Sequence, residues 1–305
     1  MNAGQRSSGK VRGREKTSGE SLGKRVFGAI VFVIVFLGAL LLGSIPFTFV
    51  VAIASVIGCI ELFTMFETKG DAIPVAAVIG IAGTLAYVFC AHWKPIASFG
   101  YVTLALVVLS FSWYILILKH VKPARAIALT ILVPILTGFC LSHLVLLRDL
   151  VDGSSNSKNG FWIVFFFMVI IWLYDVAAWW AGRRYGKHKM APTISPKKSW
   201  EGAFAGTIAA LGTSVLLRFI IKAIMGKEKF FPWLSVPVAI VIALIVCVLG
   251  PFGDLSESLL KREYGVKDIG AIIPGHGGIM DRFDSTIFTA PAVFYYLYYF
   301  VLKLK

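Results

Sequence analysis

Long apolar runs repeat along most of the chain and are separated by short polar segments. Each run is close to the roughly 20 predominantly apolar residues that an α-helix needs to cross a lipid bilayer. The runs predict spans at residues 26–43, 45–66, 72–92, 99–119, 124–147, 161–182, 202–224, 234–251 and 283–302. The predicted fold class is therefore all-α, a polytopic integral membrane protein with about nine transmembrane helices.

The composition agrees with a chain that is solvated mainly by lipid. Hydrophobic residues make up 58% of the 305 residues and charged residues 15%, whereas an average soluble domain is about 45–50% apolar. The chain has no Cys-x-x-Cys pair, and its cysteines lie singly inside apolar runs, at Cys59, Cys90, Cys140 and Cys247. We therefore expect neither disulfide bonds nor a zinc site.

The formal net charge of +14 comes from short segments between the runs and from the N-terminal tail. No nucleic-acid-binding pattern surrounds these basic residues, so anionic lipids and phosphate groups are the expected partners and nucleic acid is not. Residues 1–25 contain seven Lys or Arg, two Glu and no large apolar cluster, which predicts a disordered tail. Basic residues near span ends are retained in the cytosol. This rule places the tail and the segments 119–125 and 183–198 there, with one exception at 222–229.

Acidic residues are concentrated between the last two predicted spans, in a segment that we expect to be a loop from Pro251 onwards. Six of the 16 acidic residues fall between Asp254 and Asp284. Asp281 and Asp284 share one face once the last helix has begun, and Asp254 ends the preceding span. Carboxylates without clustered cysteine or histidine favour Mg²⁺ or Mn²⁺. We predict a metal site formed by Asp254, Asp281 and Asp284.

The same segment carries glycines and cations that suit phosphate groups. Gly277 and Gly278 allow backbone N–H groups to approach a phosphate closely, just before a helix N-terminus, and basic side chains supply further donors. The predicted catalytic residues are Asp281, Asp254, Lys261, Arg262 and His276. The predicted substrate-binding residues of this segment are Lys267, Gly277, Gly278 and Arg282. A solvated loop capped by Asp and Gly is the alternative interpretation.

A second polar segment begins inside the sixth predicted span. Asp175 lies within an apolar run there, as Glu61 does in the second span, and ionisable residues within spans are candidates for function. Residues 183–198 contain six Lys or Arg and no acidic residue, which suits anionic headgroups or phosphates. The predicted substrate-binding residues of this part of the chain are Arg183, Ser195, Lys197, Lys198 and Glu201.

Three strings in the C-terminal half resemble the signature of the phosphatidate cytidylyltransferases, also called CDP-diglyceride synthetases. They are residues 258–262, 267–270 and 273–284, and no departure from the signature occurs within them. The segments 195–202 and 175–186 are similar to that family more loosely, since Val176-Ala177 stands where a small polar residue and a glycine are expected. The resemblance covers about residues 170–290.

The resemblance implies an all-helical membrane enzyme that joins CTP to phosphatidate and releases CDP-diacylglycerol and pyrophosphate. It implies a lipid-accessible cavity facing the cytosol, Mg²⁺ as the required ion and K⁺ as a second cation, and it matches Asp254, Asp281 and Asp284 to metal ligands. The expected location is the bacterial plasma membrane, among membrane lipids, with a homodimer left open. The predicted regions are a basic cytosolic tail at 1–25, transmembrane helices at 26–160 and a catalytic transmembrane region with cytosolic motif loops at 161–305.

Two other functions remain alternatives on the sequence alone. A CTP-dependent lipid kinase of the polyprenol type would transfer a γ-phosphoryl group to a lipid alcohol and release CDP. An ion-coupled transporter would also place acids such as Glu61 and Asp175 within spans. The transporter alternative leaves the glycine-rich acidic segment unexplained.

Overall fold

The computed structural model of the protein describes residues 22–68, 76–93, 96–117, 123–150, 159–226, 230–270 and 277–304. The predicted tail at 1–25 and His276 therefore lie wholly or mostly outside the described residues. The α-helices of the described part are α1 Leu22–Leu42, α2 Ser44–Thr68, α3 Ala77–Trp93, α4 Ser98–Leu116, α5 Pro123–Pro134, α6 Leu141–Asp149, α7 Asn159–Tyr185, α8 Trp200–Met225, α9 Val236–Glu263 and α10 Asp284–Tyr295. A hairpin of β1 Lys189–Ala191 and β2 Ser195–Ser199 joins α7 to α8.

The helices confirm the all-α membrane architecture. Six helical segments of the described residues are long and apolar enough to cross a bilayer, and shorter apolar helices occur at Ile30–Leu42 and Ala77–Trp93. A π-helical turn, Ile135–Cys140, makes α5 and α6 continuous, and a second one, Tyr296–Val301, extends α10. The described part of each predicted span lies largely on one of these helices or continuous runs.

The predicted end of the eighth span is wrong. Helix α9 passes through Pro251 and continues to Glu263, because a proline within a membrane helix can be accommodated by its neighbours without ending the helix. Asp254 and Lys261 consequently lie on a helix and not in a loop. Their separation of seven residues, about two turns, places both side chains on the same face of α9.

Glycines bring α7 and α8 into close contact. A Cβ atom added at Gly202 of α8 would lie 2.6 Å from the carbonyl oxygen of Ala178, and one at Gly206 would lie 2.8 Å from the ring of Tyr174. Small residues of this kind allow two membrane helices to pack backbone against backbone. The end of α7, the hairpin and the start of α8 are thereby held together at one end of the bundle.

A close glycine contact of the same kind joins α9 to α10. A Cβ atom at Gly253 would lie 2.2 Å from the carbonyl oxygen of Asp284 and 3.5 Å from the Cα of Ser285. The first turn of α10 therefore lies directly on the face of α9 that carries Asp254. This contact sets the distance between the two acidic segments that the sequence places 30 residues apart.

A far-end polar cluster, defined by Ser44, His92 and Asp149, ties three helices together at the other end of the bundle. The Nδ1 atom of His92 lies 2.6 Å from a carboxylate oxygen of Asp149 and 3.0 Å from the hydroxyl of Ser44, which also donates to Asp149. The cluster connects the start of α2 with the ends of α3 and α6.

Candidate active site

Polar side chains from both halves of the chain meet at the end of the bundle where α7 and α9 finish and α10 begins. Two groups of charged side chains lie there, and a single carboxylate reaches them from α2. The Asp254 cluster consists of Asp175, Lys198, Asp254 and Asp284. The Lys261 cluster consists of Glu257, Lys261 and Asp281.

The Asp254 cluster gathers carboxylates from α7, α9 and α10. The ammonium group of Lys198, from the hairpin, lies 2.6 Å from Asp254 Oδ2 and donates to the carbonyl of Pro251 at 3.4 Å. Asp175 and Asp284 lie close enough to Asp254 for the three negative charges to repel one another, and Ser285 hydrogen bonds to Asp175. The cluster therefore concentrates negative charge against one lysine.

The Lys261 cluster is more deeply buried. Lys261 Nζ lies 2.9 Å from Glu257 Oε1 and 2.8 Å from Asp281 Oδ1, and the exposed fractions of the three side chains are 11%, 3% and 7%. A lysine is seldom buried to this extent without a carboxylate partner. Lys261 therefore joins α9 to the short 3₁₀ turn Met280–Arg282 that precedes α10.

The second oxygen of Asp281 is held by backbone donors. The N–H groups of Gly278 and Ile269 donate to Asp281 Oδ2 at 2.8 and 3.3 Å. Burial alone would raise the pKa of Asp281, but its hydrogen bonds with Glu257, Lys261 and Gly278 outweigh burial and hold the pKa below its ordinary value. Asp281 is thus a carboxylate with protein partners on both oxygens.

Glu61 brings the N-terminal half of the chain to the site. Its side chain on α2 is 5% exposed and accepts hydrogen bonds from the backbone N–H groups of Ile279 and Met280, each at 3.2 Å. These donors stand at the beginning of the 3₁₀ turn that carries Asp281. A residue of the predicted N-terminal region 26–160 therefore contacts the site.

The donor chemistry of the Asp254 cluster suits a hard divalent cation. Carboxylate oxygens are the ligands that Mg²⁺ prefers, and three of them face a single lysine here. Within the described ranges, no set of three or more His, Cys, Asp or Glu side chains is already arranged around one ion position. Asp281 fits this role less well than Asp254 and Asp284, because Lys261 and backbone N–H groups occupy its oxygens.

The predicted substrate-binding residues of the hairpin region have distinct surroundings. Glu201 lies at the start of α8 and accepts from the backbone N–H of His188 at 3.1 Å, with its oxygen also 2.6 Å from His188 Nδ1, so it fastens the hairpin to α8. Arg262 Nε donates to the carbonyl of Ile194 at 3.2 Å and connects α9 to the same hairpin. Residues with exposed side chains in this part of the site are Arg183, Lys197, Lys267 and Arg282, and Ser195 is half-buried.

An open groove of about 1070 Å³ lies beside the hairpin, between the end of α7 and the start of α8. Its lining combines aromatic with basic side chains and comprises Trp180, Ala181, Tyr185, Lys187, His188, Lys189, Trp200, Glu201, Phe204 and Ala205. Aromatic and basic residues together are typical of the level of a bilayer at which lipid headgroups lie.

Two contributors to the site are absent from the sequence prediction. Glu257 stands one turn from Asp254 and one turn from Lys261 on α9, and this helical spacing would have indicated it if the helix had been predicted to continue past Pro251. Gly253 contributes through its missing side chain, which no charge pattern reveals. Its effect depends on the approach of α10.

The fold and the site together define a polytopic α-helical membrane protein with a carboxylate-rich and lysine-rich site at one end of its helix bundle. A model of the cytidylyltransferase family matches residues 23–300. The chain belongs to that family.

Two of the curated relatives align with nearly the whole chain, and a third aligns with just over half of it. It is 29% identical to the phosphatidate cytidylyltransferase of Bacillus subtilis over 277 residues, which are 90% of this chain and 97% of that protein. It is 30% identical to the phosphatidate cytidylyltransferase of Staphylococcus epidermidis over 275 residues, 88% of this chain and 95% of that protein. The enzyme of the same name from Haemophilus influenzae is 36% identical over 176 residues, 57% of each chain.

Proposed function

We propose that the protein is a phosphatidate cytidylyltransferase, which converts CTP and phosphatidate to CDP-diacylglycerol and pyrophosphate. The observation that supports this most directly is the placement of the signature residues Lys261 and Asp281 in one buried, hydrogen-bonded cluster beside the carboxylates of Asp254 and Asp284. Family membership over residues 23–300 supports the same reaction.

In this reaction, a phosphate oxygen of phosphatidate attacks the α-phosphorus of CTP. A new phosphorus–oxygen bond forms as the bond from the α-phosphorus to the oxygen bridging it to the β-phosphorus breaks, and pyrophosphate leaves with that electron pair. The nucleophile is already anionic, so the protein's contribution is to position the two substrates and to neutralise charge. No covalent intermediate with the chain is needed.

The chain's residues divide this work between the two clusters. Asp254 and Asp284, with Asp175, would hold Mg²⁺, and the ion would supply Lewis-acid neutralisation of the phosphate oxygens. Lys261 keeps Asp281 and Glu257 fixed. Asp281 in turn orders the backbone at Gly278 by accepting its N–H at 2.8 Å.

The lipid substrate would approach from the bilayer along the groove beside the hairpin. Trp180 and Trp200 are 56% and 60% exposed, which suits contact with the interfacial region of a membrane. Lys197 and Arg183, with exposed side chains nearby, supply cations for a phosphomonoester headgroup. The cluster end faces the cytosol of a bacterial cell in this proposal, because the basic segment 183–198 and Arg125, which contacts the end of α9, lie at that end.

The direct test measures products. Purified protein is given CTP and phosphatidate with and without Mg²⁺, and CDP-diacylglycerol and pyrophosphate are quantified for the wild type and for Asp254→Asn and Asp281→Asn. We expect product only with the divalent ion and a loss of about a hundredfold or more in both variants, since each removes a charge at a site built for charge neutralisation.

A matched control and two contrary results accompany this test. Glu263→Gln removes an exposed acid at the end of the same helix and should retain activity. Phosphorylated lipid alcohol with CDP would identify a lipid kinase instead, and nucleotide-independent ion flux would identify a transporter.

A further inference from the structure

Glu61 lies within a membrane helix and is almost fully buried, and the hydrogen bonds that the structure describes for it come from backbone N–H groups. An intramembrane carboxylate is costly unless other groups satisfy it. Here both oxygens are used, Oε1 by the N–H of Ile279 and Oε2 by the N–H of Met280. Glu61 therefore satisfies two consecutive N–H groups that the following turn leaves without partners.

The contact has the form of a helix cap supplied by another helix. The 3₁₀ turn Met280–Arg282 has no side-chain cap from its own preceding residue. A carboxylate at the beginning of a helical turn is favoured by the local dipole as well as by hydrogen bonding. Glu61 supplies this carboxylate from α2, across 218 residues of sequence.

Two glycines of the signature segment enclose the carboxylate. A Cβ atom at Gly270 would lie 2.2 Å from Glu61 Oε1, and one at Gly278 would lie 2.5 Å from Glu61 Oε2. One helical turn earlier, Gly58 faces Met280, whose sulfur would lie 3.3 Å from an added Cβ. Gly270 and Gly278 thus lie against the two oxygens of the Glu61 carboxylate.

We propose that Glu61 is a positioning residue for the cytidylyltransferase reaction: it fixes the backbone of Ile279 and Met280 and thereby holds Asp281 against Lys261. This inference rests on the proposed function for its kinetic consequence. Its structural content, the dependence of the 279–280 backbone on Glu61, is independent of the reaction. Since Asp281 directly follows these two residues, loss of their anchor displaces the carboxylate that Lys261 binds.

The first test compares Glu61→Gln with Glu67→Gln, which removes an exposed carboxylate six residues further along the same helix. An amide can accept from only one of the two N–H groups and turns a donor toward the other. We expect kcat of Glu61→Gln to fall about tenfold to hundredfold, with the KM for CTP unchanged within about threefold. Glu67→Gln should match the wild type in both.

The second measurement is hydrogen exchange in the peptide that covers residues 277–283, without substrates. We expect the amides of Ile279 and Met280 to exchange about tenfold faster or more in Glu61→Gln than in the wild type, while peptides of α7 and α8 remain unchanged. Unchanged exchange at 279–280 would overturn the proposal. Exchange that rises equally throughout the protein would also overturn it, because it would show a general loss of structure.

A pair of compensating substitutions keeps the proposal testable even if Glu61→Gln folds poorly. Gly278→Ala places a methyl group against Glu61, and Glu61→Asp withdraws the carboxylate by about one C–C bond, ~1.5 Å. If the two groups are in contact, the double variant should lose less activity than the product of the two single losses. Independent, multiplicative losses would overturn the proposal. If the wild type forms no CDP-diacylglycerol but the exchange pattern is as expected, the proposed function is rejected. The structural role of Glu61 then still holds.

Discussion

Lys261 and Lys198 both neutralise carboxylates at the site, but they do so in different surroundings. Lys261 is 11% exposed and has two acidic partners, whereas Lys198 is 21% exposed and pairs with Asp254, which is 32% exposed. Removing one member of a buried ion pair leaves an uncompensated charge, whereas an exposed pair contributes little. Burial therefore decides which lysine the fold depends on.

Lys261→Met should destabilise the protein strongly, because Glu257 and Asp281 would be left facing each other in a buried position. We expect a loss of about 3 to 5 kcal/mol, the usual cost of breaking a buried pair, seen as a lowered unfolding temperature in detergent. Glu263→Gln, which breaks the exposed pair with Arg125, should cost under about 1 kcal/mol. Equal effects of the two substitutions would contradict this account of burial.

At the scale of single residues, the sequence shows which side chains carry unusual chemistry better than it shows which groups they bind. The crowding of acids from Asp254 to Asp284 is visible without a structure, and so is the anomaly of Glu61 within an apolar run. The partners of Glu61 are backbone N–H groups more than 200 residues away. Every residue except proline carries such a donor, so no pattern in the sequence could mark Ile279 and Met280 as the ones that bind.

At the scale of elements, hydrophobic runs predict where helices lie, but they do not predict where a helix continues beyond its apolar residues. The eighth run ends at Pro251, whereas α9 continues in polar sequence to Glu263. Its last turns are stabilised by contacts with the hairpin and α10, including the bond from Arg262 to Ile194 and the packing of Asp284 on Gly253. These are tertiary contacts, which local propensity does not contain.

Gly253→Ala tests whether the contact between α9 and α10 sets the geometry of the Asp254 cluster. The added methyl group would meet the carbonyl of Asp284 at 2.2 Å, so we expect α10 to shift and product formation to fall about tenfold or more. Gly212→Ala is the matched control on α8, where an added Cβ meets nothing within 4 Å. It should retain activity and gain up to about 1 kcal/mol in stability. Full activity of Gly253→Ala would show that the contact is not needed.

At the scale of the whole molecule, the described helices place two polar clusters at opposite ends of the bundle, and we expect these ends to lie on opposite sides of the membrane. The far-end polar cluster of Ser44, His92 and Asp149 lies at one end, and the hairpin with Lys197 lies at the other. The alternation of helix directions, which the nine predicted spans already contain, is sufficient to place the ends. In the proposed orientation, the basic residues of the hairpin end are retained in the cytosol.

Labelling with a membrane-impermeant maleimide tests this orientation in intact bacterial cells. A cysteine introduced by Ala97→Cys, at the exposed start of α4 beside the far end, should react from outside. One introduced by Lys197→Cys should react only after the membrane is permeabilised. The native Cys59 and Cys140 are buried and Cys90 and Cys247 are half-buried, so labelling of the unsubstituted protein gives the background. The reverse pattern would invert the proposed orientation, because the two positions lie at opposite ends.

The bond between Glu61 and the turn before α10 has a consequence for biogenesis. At about 5–20 residues per second, the ribosome needs on the order of ten to forty seconds to add the 218 residues that separate Glu61 from Ile279. During that interval α2 is inserted with a carboxyl group whose eventual partners do not yet exist, a state that favours a protonated side chain or a temporary helper in the membrane. A nascent chain truncated before Ile279 would therefore expose an unsatisfied acid within the bilayer, which distinguishes an unfinished chain from a complete one.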